Sequence, residues 1–430
     1  MTYIKLKNKK IAIIGGGISG LSASYLLRKN YNITLYEEKS DLGGHAITLK
    51  KKLALNNSKK RNFFFDIGFL VYNDKNYPNF SKLLDDILVK TKKSNMSFSV
   101  SNKCSKFEYG STGILSLTNN FKNLFSSDFC GILFNILKFY RKSKEFLLKK
   151  NNNITLEVFL NKNQFNKSLI FNHIIPMCGA IWSTPTNKVL TMPAKNVLKF
   201  LDNHGLLNLF KRPEWKTISK GSENYVKKLE KSINATIYKN EKVMKVERRN
   251  KKVYVHSKSF SKTYDKVIFA IHADDILKLL EKPSNREKEI FSKYSYEQNV
   301  VLIHQDECLM PKNKNVWASW NVIVNNKQDQ VNKEICVTYW INKLQNFHTK
   351  YPVLVTLNPP KKIEIKKEKI LKKLKLKHPL LEKDHFLLSE KVKKLQGKNM
   401  TYYTGAWLGN GFHEDGLNSS INIAKLFQHD

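Results

Sequence analysis

The sequence predicts an α/β protein in which a Rossmann-like domain is interrupted by an inserted α+β domain. Three observations lead to this fold class. A glycine-rich turn at residues 15–20 lies between a short apolar run and an amphipathic segment, and two more segments typical of buried strands occur at residues 266–271 and 401–404. Long blocks with aromatic and helical patterning separate them, at about residues 80–210 and 280–390. Such an interrupted pattern is typical of one sheet assembled from distant pieces of chain.

The first of these elements is a βαβ unit near the N-terminus. Residues 11–14 are continuously apolar, which is typical of a strand that is buried on both faces. Leu21, Leu26 and Leu27 then place an apolar stripe on the following helix. Residues 33–36 alternate in polarity, so we expect them to form the second strand of the unit.

The turn between the first strand and the helix has the GxGxxG spacing, with Gly15, Gly17 and Gly20 in the glycine positions. Such glycines allow a tight turn, a close approach of the backbone to a pyrophosphate, and close packing of helix on strand. Ile18 and Ser19 begin the helix, whose positive N-terminal end favours phosphate groups. This context predicts a dinucleotide site, whereas a glycine cluster alone is also compatible with a simple turn.

Acidic residues end the second strand, and a second glycine pair follows them. Glu37 lies 20 residues beyond Gly17, where a carboxylate can accept hydrogen bonds from the adenosine ribose hydroxyls. Glu38 points to the opposite side of a continuing strand and is predicted to be a surface charge. Gly43 and Gly44 form the second pair shortly after this acid.

Composition limits the setting and the partners of the protein. The five cysteines form no CxxC pair, so neither a disulfide framework nor a zinc site is expected, and a reducing, cytoplasmic setting is favoured. No metal is expected, because no other ligand set has suitable spacing. The formal net charge is +39, but lysine carries most of it and no nucleic-acid-binding motif accompanies it. Specific nucleic-acid binding is therefore not expected, and the oligomeric state stays open.

Two segments raise the question of membrane contact. Residues 5–10 are basic and precede an apolar run, as in a secretory signal, but that run passes directly into the glycine turn, so the signal interpretation is rejected. Residues 121–150 combine near-helical apolar spacing, including Phe125 and Leu133, with a basic end. Peripheral contact with an anionic membrane at its inner face is one interpretation, and a core helix with a solvated basic tail is the other.

These motifs resemble a bacterial family of NAD/FAD-binding proteins within the superfamily of flavin-containing amine oxidases, protoporphyrinogen oxidases and phytoene desaturases. In that superfamily, a glycine pair such as Gly43-Gly44 passes the chain along the FAD pyrophosphate. The resemblance covers nearly the whole chain. Its stretches lie at residues 65–69, 77–79, 95–100, 176–177, 180–183, 202–207, 212–215, 221–222, 267–268 with Ala270 and His272, 317–321, 355–359, 405–407 and 411–417.

The resemblance implies FAD as the cofactor and a Rossmann-like FAD-binding domain of the glutathione-reductase type. This discontinuous domain is expected at residues 1–80, 211–279 and 391–430, with the α+β substrate domain at residues 81–210 and 280–390. The residues predicted to bind FAD, from the motifs and from the resemblance, are Gly15, Gly17, Ile18, Ser19, Gly20, Glu37, Gly43, Gly44, His45, Val243, Ala270, Gly405, Glu414, Asp415, Gly416 and Leu417.

Three positions depart from the family pattern. Asp41 stands where the family usually has an arginine, so no phosphate-binding role is assigned to it. Lys220 replaces one glycine of a pair before Ser222. Ser420 replaces a glycine in the last helix, which implies a wider approach of that helix to the cofactor. The glycine-rich turn before this helix independently predicts a second positive helix end near a cofactor, and Asp415 is also suited to capping it.

Catalytic residues are less well specified, because the redox chemistry of flavin enzymes belongs to the cofactor. His204 and His413 are the predicted catalytic residues, since both lie in glycine-flanked family stretches, and a buried structural role is the alternative. Five tryptophans are candidate walls of an apolar pocket, with core packing as the alternative: Trp182, Trp317, Trp320, Trp340 and Trp407.

The predicted function is that of an FAD-dependent oxidoreductase that transfers hydride from a carbon centre of an apolar substrate to flavin. Because the resembled family is associated with fatty-acid modification, a fatty-acyl lipid is the favoured substrate class. The alternatives are an amine oxidase, a polyene or tetrapyrrole dehydrogenase of the same superfamily, and a flavin-binding partner protein without catalysis.

Overall fold

The computed structural model describes residues 9–57, 59–102, 107–111, 127–149, 153–182, 186–208, 213–324, 336–382 and 384–428. Its strands are β1 (Lys10–Ile14), β2 (Asn32–Tyr36), β3 (Thr48–Ala54), β4 (Lys60–Asp66), β5 (Thr91–Ser94), β6 (Phe98–Asn102), β7 (Phe107–Gly110), β8 (Trp215–Ile218), β9 (Ala235–Tyr238), β10 (Val243–Arg249), β11 (Lys252–Ser257), β12 (Ser261–Tyr264), β13 (Lys266–Phe269), β14 (Tyr296–His304), β15 (Trp320–Val324), β16 (Cys336–Trp340), β17 (Leu354–Leu357), β18 (Ile370–Pro379) and β19 (Thr401–Tyr403).

The helices follow the same chain order. They are α1 (Ile18–Leu27), α2 (Pro78–Asp86), α3 (Ser127–Leu147), α4 (Leu156–Lys162), α5 (Lys167–Leu169), α6 (Ile175–Trp182), α7 (Thr186–Thr191), α8 (Ala194–Asn203), α9 (Glu223–Ser232), α10 (Ala273–Leu279), α11 (Asn285–Phe291), α12 (Ile341–Leu344), α13 (His385–Lys393) and α14 (His413–Leu426). A π-helical turn, Ile170–Ile174, joins α5 to α6.

The first sheet is parallel and has the order β19-β13-β1-β2-β9 among the described residues. β1 is the central strand, and all of its residues after Lys10 are buried. The continuous apolar run predicted a strand that is buried on both faces. The strands predicted at residues 266–271 and 401–404 are confirmed as β13 and β19, its neighbours on one side. β9, at the opposite edge, was not predicted. The boundaries of the two domains stay predictions.

A second sheet has the order β18-β14-β17-β16-β15-β6-β7 among the described residues, and only its β15–β6 pair is parallel. Its strands β14 to β18 correct the helical pattern expected at residues 280–390. The composition of the lysine-rich run at residues 361–377 is typical of a solvated helix or loop, yet the run enters β18 from Ile370 onward. Leu374 and Leu376 turn inward there while lysines alternate outward, and edge lysines discourage pairing with another chain.

Helices α3 to α8 form an apolar bundle beside the two sheets. α3 packs against α5 and α8, and the buried rings of Phe139, Phe146, Phe159 and Phe165 contact one another inside the bundle. In the part of the chain that the structure describes, no helix combines the length and the apolar character needed to cross a bilayer.

Candidate cofactor and active site

The two glycine motifs lie against each other. The amide of Gly43 donates a hydrogen bond to the carbonyl of Gly16 at 2.8 Å, and Gly17 bridges to Gly43. A Cβ added to Gly17 would meet only the Cα of Gly44, at 3.9 Å, so the space over Gly17 is open. Two bare backbone segments that face open space at a helix N-terminus fit a pyrophosphate.

The other two glycines of the first motif, Gly15 and Gly20, are required for close packing of the backbone. Gly15 has a φ of +104°, and a Cβ on it would lie 2.6 Å from the carbonyl oxygen of Ala270. A Cβ on Gly20 would overlap the carbonyl oxygen of Gly15. Ala270, which continues β13, donates its amide to Ile14 at 2.8 Å. The turn therefore depends on close packing between β1, β13 and α1.

Glu37 is buried at the end of β2, and Glu38 is exposed, as predicted from the strand alternation. One carboxylate oxygen of Glu37 accepts a hydrogen bond from the amide of Gly16 at 2.8 Å, and the other accepts from the amide of Lys39 at 3.0 Å. A carboxylate has about four lone-pair positions, so it can hold the glycine turn and still accept from ribose hydroxyls. This arrangement fits the predicted role.

The last helix packs directly on the first. A Cβ on Gly416 would lie 2.8 Å from the hydroxyl of Ser19 and 2.9 Å from the side chain of Ile18. Ser420, which replaces a family glycine, is fully buried and donates its hydroxyl to the carbonyl of Ser19 at 2.8 Å. Leu417 belongs to the same core cluster as the apolar residues of α1. The serine is therefore accommodated by a hydrogen bond between the helices.

The acidic residues of the C-terminal turn bind backbone amides. The two oxygens of Glu414 accept from the amides of Asn79 and Phe80, at 3.1 and 2.9 Å, at the start of α2. Asp415 accepts from the amide of Phe412 at 2.9 Å and so caps α14, and burial raises the pKa of Asp415 to about 6. These side chains position the turn, and their direct contact with FAD stays a prediction.

Three further predicted cofactor residues lie in different surroundings. Val243 is buried in a core cluster that also contains Tyr36 of β2. The amide of Gly405 donates to the hydroxyl of Ser419 at 3.0 Å, which ties β19 to α14. His45, next to the second glycine pair, donates Nε2 to the carbonyl of Lys377 at 3.0 Å.

His45 meets two histidines that the sequence analysis did not connect with it. Its ring centroid lies 5.9 Å from that of His272 and 5.4 Å from that of His378. Burial, with the neighbouring histidines, lowers the pKa of His45 to about 3, and burial lowers that of His378 to about 4. The three residues come from distant segments, so only the tertiary structure could join them beside the second glycine pair.

His272 also belongs to a cluster with metal-ligand character. One ligand atom each from His272, Asp274 and Asp275 lies within 4.8 Å of the others, a set that the spacing of residues in the sequence did not predict. However, Lys377 Nζ lies 2.9 Å from Asp274 Oδ2 and 3.9 Å from Asp275 Oδ2. The ammonium group already supplies the positive charge that the two carboxylates require, so we assign no metal to this cluster.

The two predicted catalytic histidines are each stacked on a phenylalanine. The ring centroid of His413 lies 3.8 Å from that of Phe69, and its Nε2 is 3.0 Å from the hydroxyl of Tyr225. His204 stacks on Phe200 at 3.8 Å and donates Nδ1 to the Phe200 carbonyl at 2.8 Å. Burial lowers the pKa of His413 to about 3 and that of His204 to about 4. Neutral, packed rings favour the structural alternative over catalysis.

His204 forms part of an aromatic cluster at the meeting point of two cores. Phe200 stacks on Phe412 with centroids 5.0 Å apart, and it contacts Trp182 at 4.8 Å. Trp215 stacks on His204 at 5.9 Å. The side chain of Phe412 packs against both the helical bundle and the core around the parallel sheet.

The five tryptophans do not share one pocket wall. Trp182 lies in the helical bundle and Trp407 in a core behind the parallel sheet. Trp317 and Trp340 contact each other at 5.4 Å, while Trp320 packs against the core of the second sheet. Core packing, the alternative interpretation, fits these residues, because they lie in four separate apolar clusters.

Comparison with known proteins places this architecture in a family. The family described as flavin containing amine oxidoreductase matches residues 18–357. A segment of 171 residues is 29% identical to the tRNA 5-methylaminomethyl-2-thiouridine biosynthesis bifunctional protein MnmC of Campylobacter jejuni subsp. doylei. That match covers 36% of this chain and only 28% of the relative.

Two solved structures share the fold over nearly their whole length. A CLA-producing fatty acid isomerase from P. acnes has a TM-score of 0.67 at 15% identity, with 98% of this chain and 99% of that chain covered. Wild-type putrescine oxidase bound to putrescine has a TM-score of 0.65 at 11% identity, with the same coverage. This chain belongs to the flavin-containing amine oxidoreductase family and is an FAD-dependent oxidoreductase.

Proposed function

We propose that this oxidoreductase acts on a carbon centre of an apolar substrate, with a fatty-acyl chain as the favoured class. The observation that carries the proposal is the position of Phe412. It joins the aromatic cluster of Phe200, His204 and Trp215 to the core of the parallel sheet. Sites of small apolar ligands are typically concave, aromatic and placed where domains meet.

The C-terminal turn connects this cluster to the proposed FAD cradle. Phe412 lies four residues before Gly416, and Gly416 packs on Ile18 and Ser19 at the start of the first helix. The backbone amide of Gly416 donates to the carbonyl of Phe412 at 3.1 Å, so the two residues are one helical turn apart. An apolar group beside Phe412 would therefore lie close to the start of α1.

The side chains of the cluster favour hydride chemistry over acid–base chemistry. When bound, FAD supplies the acceptor for a hydride equivalent from carbon. Phe200, Trp215 and Phe412 can exclude water and orient a carbon–hydrogen bond, and His204 is neutral at pH 7 because burial lowers its pKa to about 4. An apolar, uncharged site of this kind suits a hydrocarbon better than a protonated amine.

The fold comparison does not distinguish between the candidate substrate classes. The fatty acid isomerase from P. acnes has this fold, but so does putrescine oxidase, whose substrate is an amine. At 15% and 11% identity, both similarities concern the fold alone. The choice of an apolar substrate therefore depends on the aromatic cluster.

The test is anaerobic reduction of the flavin in the purified holoenzyme. Saturated and unsaturated fatty acids, primary amines, a polyene and a tetrapyrrole are each mixed with the enzyme, and bleaching of the oxidised flavin band is followed. We expect bleaching with the fatty acids only. Bleaching by amines alone would replace this proposal with an amine oxidase, and no bleaching by any compound would favour a flavin-binding partner protein.

A variant links the activity to the cluster. Phe412→Ala removes the ring that joins the two cores, and we expect kcat/KM for the active fatty acid to fall at least about tenfold. Phe64→Ala, on the exposed face of the β3–β4 hairpin, is the matched control and leaves kcat/KM unchanged. Equal values for the wild type and Phe412→Ala would exclude the cluster as the substrate site.

A further inference from the structure

We infer that the outer face of helix α3 is a docking surface for an anionic lipid membrane. Three large apolar side chains on this helix or immediately after it are exposed to water, Phe134 at 71%, Leu137 at 50% and Leu148 at 86%. Their spacing of three and eleven residues places them on one side of an α-helix. An exposed apolar stripe of this kind marks an interaction surface.

The opposite side of α3 packs into the core of the helical bundle. Ile136, Phe139, Tyr140 and Phe146 are buried in the helical bundle, and Ser143 between them has no exposed surface. This packing fixes the rotation of the helix, so Phe134 and Leu137 cannot turn inward. Their exposure therefore follows from the fold and not from a loosely held helix.

Basic residues surround the apolar stripe. Arg141 continues the outer face between the apolar positions, and Lys138, Lys142, Lys144 and Lys149 flank it. Glu145, an acidic residue of this face, is paired with Lys142 at 2.7 Å and with Arg141 at 3.7 Å, and the remaining lysines of the face leave it positively charged. Aromatic and aliphatic side chains within a ring of lysine and arginine are typical of helices that lie in the headgroup region of a bilayer.

The neighbouring segment adds to this surface. Lys138 donates to the carbonyl of Gln164 at 3.5 Å and lies over the ring of Phe165 at 5.4 Å, which brings the end of α4 beside α3. Lys162 and Lys167 on either side of this segment are exposed. The surface therefore presents positive charge on more than one element.

An anionic lipid surface explains both the exposed apolar side chains and the basic residues around them. Phosphate groups of a nucleic acid would account for the lysines but not for Phe134 and Leu137, because unstacked bases are held by aromatic grooves and not by an isolated aliphatic side chain. A second copy of the chain would bring two basic faces together, and like charges oppose that contact. Residues 112–126, which include Phe125 of the predicted amphipathic segment, lie outside the described residues.

The position of α3 also places the docking surface next to the proposed substrate site. Its inner residues share one core cluster with Trp182 and Phe200, and α3 packs on α8, whose C-terminal end carries His204. If the proposed function holds, a fatty-acyl substrate would enter the aromatic cluster from the membrane on which α3 lies. The docking surface itself does not depend on that function.

The test is flotation of the FAD-loaded protein with vesicles of phosphatidylcholine containing phosphatidylglycerol, and with vesicles of phosphatidylcholine alone. We expect the wild type to float with the anionic vesicles at low salt and to bind less at moderate salt. Phe134→Glu together with Leu137→Glu should lower the partition coefficient at least about tenfold, because two apolar anchors become charges. Absence of wild-type binding at low salt overturns the proposal.

Leu387→Glu is the matched control, because Leu387 is 59% exposed on helix α13 and is also followed by lysines. This variant should float as the wild type does. Equal losses in the Leu387 and α3 variants would show a general charge effect and overturn the assignment to α3. Each variant is first checked for unchanged flavin content and thermal unfolding, so that a folding defect is not taken for lost docking.

A charge-reversal pair tests the basic half of the surface. Lys138→Glu together with Arg141→Glu should lower binding to anionic vesicles by about fivefold or more for each basic residue removed. Unchanged vesicle binding would remove these residues from the surface. If the α3 variants instead lose only self-association or only binding to duplex DNA, the occupant is a second copy or a nucleic acid, and the lipid assignment fails.

One further measurement separates this surface from the proposed function. Flavin reduction is followed with a short, water-soluble fatty acid, for which no membrane is needed. We expect the Phe134→Glu and Leu137→Glu protein to reduce its flavin as fast as the wild type while failing to float. Loss of vesicle binding with unchanged turnover supports the docking surface. Loss of turnover with unchanged vesicle binding would place Phe134 and Leu137 in the active site and contradict the docking surface.

Discussion

The carboxylate of Glu414 accepts a hydrogen bond from the backbone amide of Phe80 at 2.9 Å, across 334 positions of the chain. Its other oxygen accepts from the backbone and the side chain of Asn79. The first amides of a helix have no partner within the helix, so a carboxylate from α14 completes the N-terminus of α2. The contact ties the C-terminal turn to the loop that follows β4.

We expect Glu414→Ala to lower the free energy of unfolding by about 1–3 kcal/mol, because buried amides lose their acceptor. Glu414→Gln keeps one carbonyl acceptor and should lose less. The measurement is urea unfolding of the holoenzyme, followed by circular dichroism. If Ala and Gln variants were as stable as the wild type, the cap would contribute nothing.

The glycines of the first motif should respond differently to substitution. Gly17→Ala places a methyl group in open space next to Gly44, so we expect a folded protein that has lost most of its flavin. Gly20→Ala overlaps the carbonyl oxygen of Gly15 and should destabilise the fold itself. The visible absorbance of purified protein and the melting temperature of the apoprotein distinguish the two effects. A yellow Gly17→Ala protein would show that the cofactor lies elsewhere.

Glu37 is expected to contribute to flavin retention. Glu37→Ala removes acceptors from the ribose and from the amide of Gly16, and FAD should bind roughly tenfold to a hundredfold more weakly. Glu37→Gln can still accept from Gly16 and should lie between the wild type and the alanine variant, whereas Glu38→Gln serves as the exposed control. Titration of the apoprotein with FAD, followed by flavin fluorescence, measures these affinities. Equal affinities for all four proteins would contradict the ribose assignment.

The sequence predicted those parts of the site whose requirements are local. The turn at Gly15 and Gly17 and the acid at Glu37 depend on a few neighbouring residues, so spacing was sufficient to identify them. The partnership of Glu414 with Phe80, and that of His45 with His378, depends on packing between distant segments. Nothing in the separate stretches indicates such contacts. In strand β18, leucine and lysine do alternate as in a strand, but the high lysine content of the run favoured a solvated segment instead.

The stacked histidines lead to a prediction about catalysis. A positioned general acid or base contributes about a hundredfold to ten-thousandfold to a rate. Because burial lowers the pKa of His204 and His413 to about 4 and about 3, we expect neither to act in this way. His204→Gln and His413→Gln should each retain kcat within about tenfold of the wild type when flavin content is equal. A hundredfold loss with full flavin content would make that histidine a catalytic residue.

The buried histidines should also make the fold sensitive to mild acid. His204, His304 and His413 have pKa values of about 4, 4 and 3, because burial disfavours the charged ring, whereas the ordinary value is 6.5. The unfolded chain therefore binds more protons than the native state between these values. The contribution of these histidines to stability is therefore fully present above pH 6.5 and is lost as the pH falls toward 4 and 3.

Asp415 opposes this trend. Burial raises its pKa to about 6 from an ordinary value of 3.8, so its contribution to stability is present below the ordinary value and is lost as the pH rises through 6. The buried histidines, which also include His45 and His378 with pKa values of about 3 and about 4, outnumber Asp415, so the protein is expected to be less stable in mild acid. The free energy of unfolding should fall between pH 6.5 and pH 4.5, by up to ~1.4 kcal/mol per pH unit for each histidine.

Urea titrations across this pH range, with two variants and one control, test the assignment. His413→Gln keeps a partner for Tyr225 but cannot be protonated, so its stability should decline less steeply than that of the wild type. Asp415→Asn keeps the cap on Phe412 and removes the opposing group, so its decline should be steeper. His348→Gln, at an exposed position, should leave the slope unchanged. Because a general loss of stability would shift all curves without changing their slopes, parallel curves for the wild type, His413→Gln and Asp415→Asn would contradict the assignment of these groups.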